Sequence, residues 1–116
     1  MDFESLRAFC LSLPGTTEEI QWGADLLFKV GGKTFVFTGM DAPWPLTIKC
    51  SDEDFGYLIE REDIPPAAYL GRYKWIRLKS ITTLPPKDLQ DYIRKSYMAI
   101  FTKLPKKVRL SIGEFR

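Results

Sequence analysis

The chain has 116 residues, of which 45% are hydrophobic and 28% charged, with a net charge of +2, as is typical of one soluble globular domain spanning residues 1–116. No apolar run approaches the roughly 20 residues that a membrane helix needs, and the N-terminus lacks the regions of a signal peptide, so we expect a cytoplasmic protein. The absence of histidine and the wide spacing of Cys10 and Cys50 predict no metal site, no cofactor and no enzymatic activity.

The N-terminal segment predicts a helix over residues 3–13. Asp2 is a suitable N-cap, and apolar residues recur at helical spacing up to Leu13. Pro14-Gly15 would then end the helix. We expect residues 16–25 to form a connection, with at most a short helical turn near its start. Cys10 and Cys50 fall in apolar patterns, and a reducing compartment would keep them as buried free thiols.

A β-hairpin is predicted for residues 26–38. Gly31-Gly32 suits a type I′ turn, because both central residues need positive φ. This turn pairs Val30 with Lys33, and the same register pairs the residues at 29 and 34 and at 28 and 35. The predicted core face carries Phe28, Val30, Lys33, Phe35 and Phe37. The opposite face carries Leu27, Lys29, Thr34, Val36 and Thr38.

The second half of the chain predicts two further strands and two helices. Residues 46–50 and 74–79 alternate as strands. Ser51 opens a helix that ends by Arg61, and Pro85-Pro86 opens a longer one whose apolar stripe reaches Leu104. The resulting α-β-β-β-α-β-α order predicts an α+β fold, with a largely antiparallel β-sheet and helices packed on one face.

Charge is distributed unevenly along the chain. Residues 67–116 hold twelve bases and three acids, a net charge of +9, whereas residues 51–66 hold one base and six acids, a net charge of −5. Such asymmetry suggests an anionic partner for one surface. The alternative is a charge distribution that serves solubility alone.

The outer face of the predicted sheet is the first candidate for such a partner. Lysine and arginine neutralise phosphates, threonine donates hydrogen bonds and an exposed tryptophan stacks on a base. The predicted register places on this face Lys29, Thr34, Thr47, Lys49, Trp75, Arg77 and Lys79. The alternatives are an ordinary solvated face, and a Trp75 that the loops at 39–45 or 65–72 cover.

Two more segments carry basic residues that could bind an anionic partner. The Gly31-Gly32 turn is explained by its backbone conformation alone, and no helix follows it whose N-terminus could bind a phosphate. Lysines nevertheless flank the tip of the hairpin. Residues 103–109, KLPKKVR, are either a phosphate-contacting arm or cations at the C-terminus of a helix. The acids at 52–54 are explained by helix capping rather than by a metal.

The ordered set of motifs resembles the MmcQ/YjbR family of small bacterial proteins over roughly residues 5–110. The matching pieces are Pro14-Gly15, Trp22-Gly23, FKVGGKTF, TIKCSDED, IPPAAYLGRYKWIRL and SYMAIFTKLPKKVR. The resemblance implies a CyaY-like fold, in which helices back an antiparallel sheet, and the family's proposed role as a double-wing DNA-binding protein. Some members carry histidine immediately before the tryptophan of the KW strand. Lys74 stands there in this chain, so no role of that histidine transfers.

Two hypotheses of function follow. The first is a non-enzymatic DNA-binding protein whose contacts are mainly to phosphate. Its predicted contact residues are Lys29, Lys33, Lys49, Lys74, Trp75, Arg77, Lys79, Lys106, Lys107 and Arg109. The second is a protein-interaction or small-ligand module that uses the sheet face and the aromatic residues Trp44, Tyr69 and Trp75. Neither hypothesis involves a membrane, and both leave the oligomeric state open.

Overall fold

A computed structural model of the protein describes residues 1–21, 23 and 25–113. Five strands form one sheet in the order β1-β2-β3-β4-β5, and every neighbouring pair is antiparallel. The elements are α1 (Phe3–Ser12), β1 (Thr16–Gln21), β2 (Asp25–Val30), β3 (Lys33–Gly39), β4 (Leu46–Lys49), α2 (Asp52–Leu58), a 3-10 helix (Gly71–Tyr73), β5 (Trp75–Leu78), α3 (Pro86–Phe101) and α4 (Lys106–Ile112). The predicted α+β class with an antiparallel sheet is confirmed. Trp22 of the Trp22-Gly23 motif lies outside the described residues.

The predicted helix starts are confirmed by their caps. The Asp2 carboxylate accepts a hydrogen bond from the Ser5 N–H at 2.8 Å, and the Ser51 hydroxyl accepts one from the Asp54 N–H at 3.1 Å. Each cap satisfies an N–H that the first helical turn leaves without a backbone partner. No helix within the described part of the chain is long and apolar enough to cross a membrane.

The prediction of a connection at residues 16–25 is wrong over its first part. Residues Thr16–Gln21 form β1, which pairs antiparallel with β2 from Thr16 opposite Val30 to Gln21 opposite Asp25. The apolar pattern gave no indication of this strand because only Ile20 among its residues is a large apolar one. Its two β-branched threonines and the free edge of β2 favour the strand instead. The observed order therefore begins α-β-β-β-β.

The hairpin follows the predicted register at its tip and then departs from it. Val30 pairs with Lys33 as predicted, but a bulge shifts the register, so that Phe28 lies opposite Val36 rather than Phe35. A bulge places two residues of one strand opposite one of its partner. Beyond it, Val36 faces the core and Phe37 faces outward, the reverse of the prediction.

The core lies between the sheet and the helices α1 and α3. Helix α3 packs on β2, β3 and β4, while α1 packs on β1. The Ser96 hydroxyl donates to the Phe35 carbonyl at 2.5 Å, so α3 satisfies a buried backbone group at the bulge. Fully buried side chains of this layer include Leu6, Phe28, Phe35, Leu46, Ile48, Ile76, Leu78, Ile93 and Tyr97.

The chain segment that follows α2 pairs with the edge of β5. Pro66 forms a bridge with Ile76, the Ala67 N–H donates to the Trp75 carbonyl at 2.9 Å, and the Arg77 N–H donates to the Pro65 carbonyl at 2.9 Å. This segment therefore occupies the free edge of β5. On the outer face, Thr47 is only 2% exposed, so its predicted solvent exposure is wrong.

Candidate nucleic-acid interface

Four chain segments meet at one end of the molecule: the hairpin tip, the end of β4, the start of β5 and the end of α3. The hairpin tip packs closely against the segment that follows α3, because a Cβ atom on Gly31 would lie 2.6 Å from Leu104 Cδ1. Gly31 also has a φ of 59°, a conformation that favours glycine. The turn glycine thus serves both the hairpin and its contact with the segment that follows α3.

A first depression at this end has lysines around an apolar floor. Its volume is about 330 Å³, and it is lined by Lys33, Lys49, Lys103, Ile100 and Leu104. None of these described lining residues is acidic. Lys33 reaches the depression from the hairpin, Lys49 from β4 and Lys103 from the segment that follows α3. Three cations from separate elements therefore converge on one site that would attract an anion.

A second depression of about 340 Å³ adjoins the first, and Lys49 and Lys103 border both. It is further lined by Cys50, Ser51, Asp52, Arg72, Tyr73, Lys74 and Ala99. Among the described residues that line the two depressions, five are cationic and one, Asp52, is acidic. We call the five cations the basic end: Lys33, Lys49, Arg72, Lys74 and Lys103.

Local backbone geometry positions Lys74 and Tyr73 at the basic end. Lys74 ends the 3-10 helix in the left-handed region, with a φ of 69°, and its N–H donates to the Gly71 carbonyl. It therefore precedes β5, although it was predicted as the first residue of that strand. The Lys74 ammonium lies 5.0 Å from the centre of the Phe55 ring. Lys49 Nζ donates to the Tyr73 carbonyl at 3.4 Å, which ties the 3-10 helix to β4.

Lys29 lies apart from the basic end and has its own acidic partner. Its Nζ is 2.9 Å from Glu19 Oε2 on β1, and its side chain is 20% exposed. Hydrogen bonding by Lys29 and by Gln21 holds the pKa of Glu19 below its usual range. The charge of Lys29 is thus largely offset by Glu19.

Trp75 and Arg77 lie on the outer face of β5, near the segment that covers its edge. Trp75 is half-buried, with its ring centre 6.0 Å from that of Phe37. Arg77 is exposed and borders a separate depression of about 240 Å³, which is lined by Phe37, Thr47, Ala67, Ala68, Leu70 and Arg77. The described lining residues of this depression include one cation and no acid.

Lys79 follows β5 at the end away from Lys74. It contributes to the lowered pKa of Asp63, which is caused first by the hydrogen bond from Arg61. Lys79 therefore lies in the field of an acidic segment rather than in that of the basic end. Of the cations on the predicted face, only Lys49 thus borders the two depressions of the basic end, whereas Lys29 and Lys79 have acidic neighbours and Arg77 borders a separate depression.

The predicted basic tail is a helix. Lys106 and Lys107 are exposed in the first turn of α4, and they follow Lys103 after only two residues. Arg109 is half-buried, and its Nε has no hydrogen-bond partner among the described residues. Ile112 holds α4 against the Gly15 turn, where a Cβ on Gly15 would lie 2.7 Å from Ile112 Cγ2. Lys106 and Lys107 therefore open α4, and Arg109 lies in its last turn.

Both cysteines are free thiols, as predicted, but only Cys10 is buried, whereas Cys50 is half-buried. Burial raises the pKa of Cys10 to about 12, and burial, followed by the nearby Asp54 carboxylate, raises that of Cys50 to about 12. Neither thiol is thus activated as a nucleophile at neutral pH. Within the described residues, no group of three or more histidine, cysteine or acidic side chains is arranged to hold a metal.

The predicted contact set did not include Arg72, Tyr73 or Lys103, although Lys103 begins the segment 103–109 that was considered as a phosphate-contacting arm. Arg72 and Tyr73 stand just before the KW motif, and Lys103 belongs to the segment after α3. The indication available in the sequence was the run Arg72-Tyr73-Lys74, two cations around an aromatic residue that periodicity had not assigned to the core. Trp44, in contrast, packs against Phe3 with 6.0 Å between ring centres, which leaves it less available for a partner.

Comparisons with known proteins agree with this fold. A crystal structure of a Deinococcus radiodurans protein with a DUF419 domain superposes with a TM-score of 0.84 and 26% identity, covering 95% of this chain and 86% of that one. A crystal structure from Pseudomonas syringae shares the fold at a TM-score of 0.70 and 18% identity, covering 85% of this chain and 98% of that one. No protein of curated function matches the sequence. The YjbR family model matches residues 11–99, and the chain therefore belongs to the YjbR family.

Proposed function

We propose that this protein is a non-enzymatic, cytoplasmic DNA-binding protein whose basic end contacts phosphates. The observation that carries the proposal is the convergence of Lys33, Lys49 and Lys103 on one depression that no described acidic residue lines. Arg72 and Lys74 extend the positive surface into the adjoining depression. Phosphate contacts of this kind supply most of the free energy of non-specific DNA binding.

Lys106 and Lys107 support the same surface. They are exposed and lie within four residues of Lys103 along the chain, so a phosphate backbone that runs past the end of α3 would meet them next. Lys29 is left out of the proposed contact set because Glu19 already offsets its charge. Arg77 and Lys79 are left out because they border other surfaces.

A salt series of DNA titrations tests the proposal. If about four phosphates are contacted, the affinity should fall on the order of 100-fold between 50 and 200 mM salt. The double variant Lys33→Glu, Lys103→Glu should abolish binding at the lower salt concentration. Lys87→Glu, an exposed lysine in the first turn of α3, is the matched control and should bind nearly as the native protein does. Absence of binding by the native protein at 50 mM salt would refute the proposal.

The second candidate is a protein-interaction or small-ligand function on the outer face. It is favoured by Tyr69, which is 96% exposed with a φ of 65°, beside the depression that Ala67, Ala68 and Leu70 border. Tyr69→Ala separates the two functions. It should leave DNA binding unchanged and weaken only a partner that docks on the outer face.

A further inference from the structure

We propose that the basic end takes single-stranded nucleic acid, with phosphate in the first depression and an unpaired base stacked on Tyr73 in the second. This inference rests on the proposed DNA-binding function and specifies the form of nucleic acid. It is carried by the exposed Tyr73 ring, by the Asp52 carboxylate that only the second depression has and by the apolar residues that line the first.

Tyr73 presents a partly open aromatic surface within a cationic setting. The tyrosine is 52% exposed, and the Arg72 guanidinium carbon lies 4.9 Å from its ring centre. Arg72 thus covers part of the ring and leaves the rest to solvent. Lys49 holds the Tyr73 backbone through the hydrogen bond to its carbonyl. A base stacked on the ring would lie beside cations that contact its own phosphates.

The two depressions differ in the acidic and aromatic residues that line them rather than in net charge. Three lysines and no described acidic residue line the first, whereas four cations, the acidic Asp52 and Tyr73 line the second, so the described lining of each has a formal charge of +3. The Asp52 carboxylate would repel a phosphate, but it accepts hydrogen bonds from the N–H groups of a base. We therefore assign phosphate to the first depression and a base to the second. Lys49 and Lys103, which border both, lie where the chain of one nucleotide would link the two.

The floor of the first depression also favours a flexible strand. Ile100 and Leu104 are apolar and lie among the three lysines, so a sugar or the face of a base has a surface to contact. In a duplex the faces of the bases are stacked on one another, and only phosphates, sugars and groove edges reach a protein. A duplex would use the lysines but not the Tyr73 ring, and a single strand would use both.

Fluorescence anisotropy with two labelled oligonucleotides tests the inference. One is a single strand of about 12 nucleotides and the other is a blunt duplex of the same length, each titrated at equal salt. Tyr73→Ala should weaken single-strand binding on the order of 10-fold and duplex binding by less than about 2-fold. Tyr73→Phe keeps the ring and should bind as the native protein does. Tyr57→Ala is the matched control, because Tyr57 is 67% exposed on α2 and does not line either depression of the basic end.

The outcomes distinguish this inference from the proposed function. If the native protein binds both oligonucleotides and Tyr73→Ala weakens neither, or weakens both equally, the inference is overturned while DNA binding stands. If the native protein binds neither oligonucleotide, the proposed function fails and the inference fails with it. Circular dichroism of Tyr73→Ala would show whether the variant is folded. If Tyr73→Ala is not folded, Tyr73→Leu replaces it, because leucine fills the position without an aromatic ring. Its binding to the two oligonucleotides then tests the inference in the same way.

Discussion

Lys29 and Glu19 form an ion pair across the two strands β1 and β2, with 2.9 Å between Lys29 Nζ and Glu19 Oε2. The strand that supplies Glu19 has no apolar pattern typical of a strand, so the pair was not apparent from the sequence. This ion pair distinguishes the two lysines of the hairpin from each other. Lys29 has an acidic partner, whereas Lys33, four residues later, borders a depression lined by other lysines.

Lys29→Gln should therefore have little effect on DNA binding. We expect the dissociation constant to change by less than about 2-fold, whereas Lys103→Gln, which removes one phosphate contact, should raise it about 5- to 10-fold at 0.1 M salt. The free energy of unfolding of Lys29→Gln should fall by less than about 1 kcal/mol, because the pair is near the surface. Anisotropy titrations and urea denaturation measure the two quantities. An equal loss of affinity in both variants would contradict this division of the lysines.

The two turn glycines should differ in their tolerance of alanine. Both have positive φ, so either substitution should cost about 1 kcal/mol or more. At Gly32 no atom lies within 4 Å of the added Cβ, whereas at Gly31 it would lie 2.6 Å from Leu104 Cδ1. Gly31→Ala should therefore lose about 1–3 kcal/mol more than Gly32→Ala, because the buried Leu104 must move. Urea denaturation of both variants tests this, and equal losses would show that the contact is unimportant.

The parts of the fold that were predicted correctly are those set by local chemistry. The Asp2 and Ser51 caps and the Gly31-Gly32 turn each depend on residues within a few positions of one another. The bulge after the tip does not, because it depends on how α3 packs over β3. The same holds for β1, which is specified by the free edge of β2 rather than by its own apolar pattern.

The bulge should depend on one side chain of α3. Ser96 is 1% exposed, and its hydroxyl donates to the Phe35 carbonyl at 2.5 Å. Ser96→Ala would leave that carbonyl without this donor, so we expect a loss of about 1–3 kcal/mol in the free energy of unfolding. Ser111→Ala is the control, since that hydroxyl bonds the Val108 carbonyl at an exposed position and should cost less than about 0.5 kcal/mol. A Ser96→Ala variant as stable as the control would contradict this role.

The candidate site was predictable only in part, because the availability of its residues depends on neighbours that are distant in the sequence. Charge counts placed most of the positive charge in the second half of the chain, and Lys33, Lys49 and Lys74 were among the predicted contacts. Whether a given lysine is available depends on its neighbours across the sheet, as the pairing of Lys29 with Glu19 shows. Periodicity also indicates which face of a strand a residue occupies, but not that the segment at 65–67 occupies the edge beside it.

Cys50 provides a chemical probe of the basic end, because it lines the second depression. Burial, followed by the nearby Asp54 carboxylate, raises its pKa from 9.0 to about 12. The thiolate is the reactive form. At pH 8 we therefore expect alkylation about 1000-fold slower than for a thiol of unshifted pKa. The rate should increase tenfold per pH unit from pH 7 to 10 without a plateau, because the thiolate fraction rises with pH up to the pKa.

Peptide mapping of the alkylated protein follows both thiols at once. Cys10, which is fully buried, should react more slowly than the half-buried Cys50 and serves as the internal control. A saturating single-stranded oligonucleotide should slow the modification of Cys50 and leave that of Cys10 unchanged, because a base beside Tyr73 and Asp52 would cover the second depression. A plateau near pH 9 would contradict the raised pKa. Equal rates at Cys50 with and without the oligonucleotide, under conditions in which it is bound, would place the nucleic acid elsewhere on the protein.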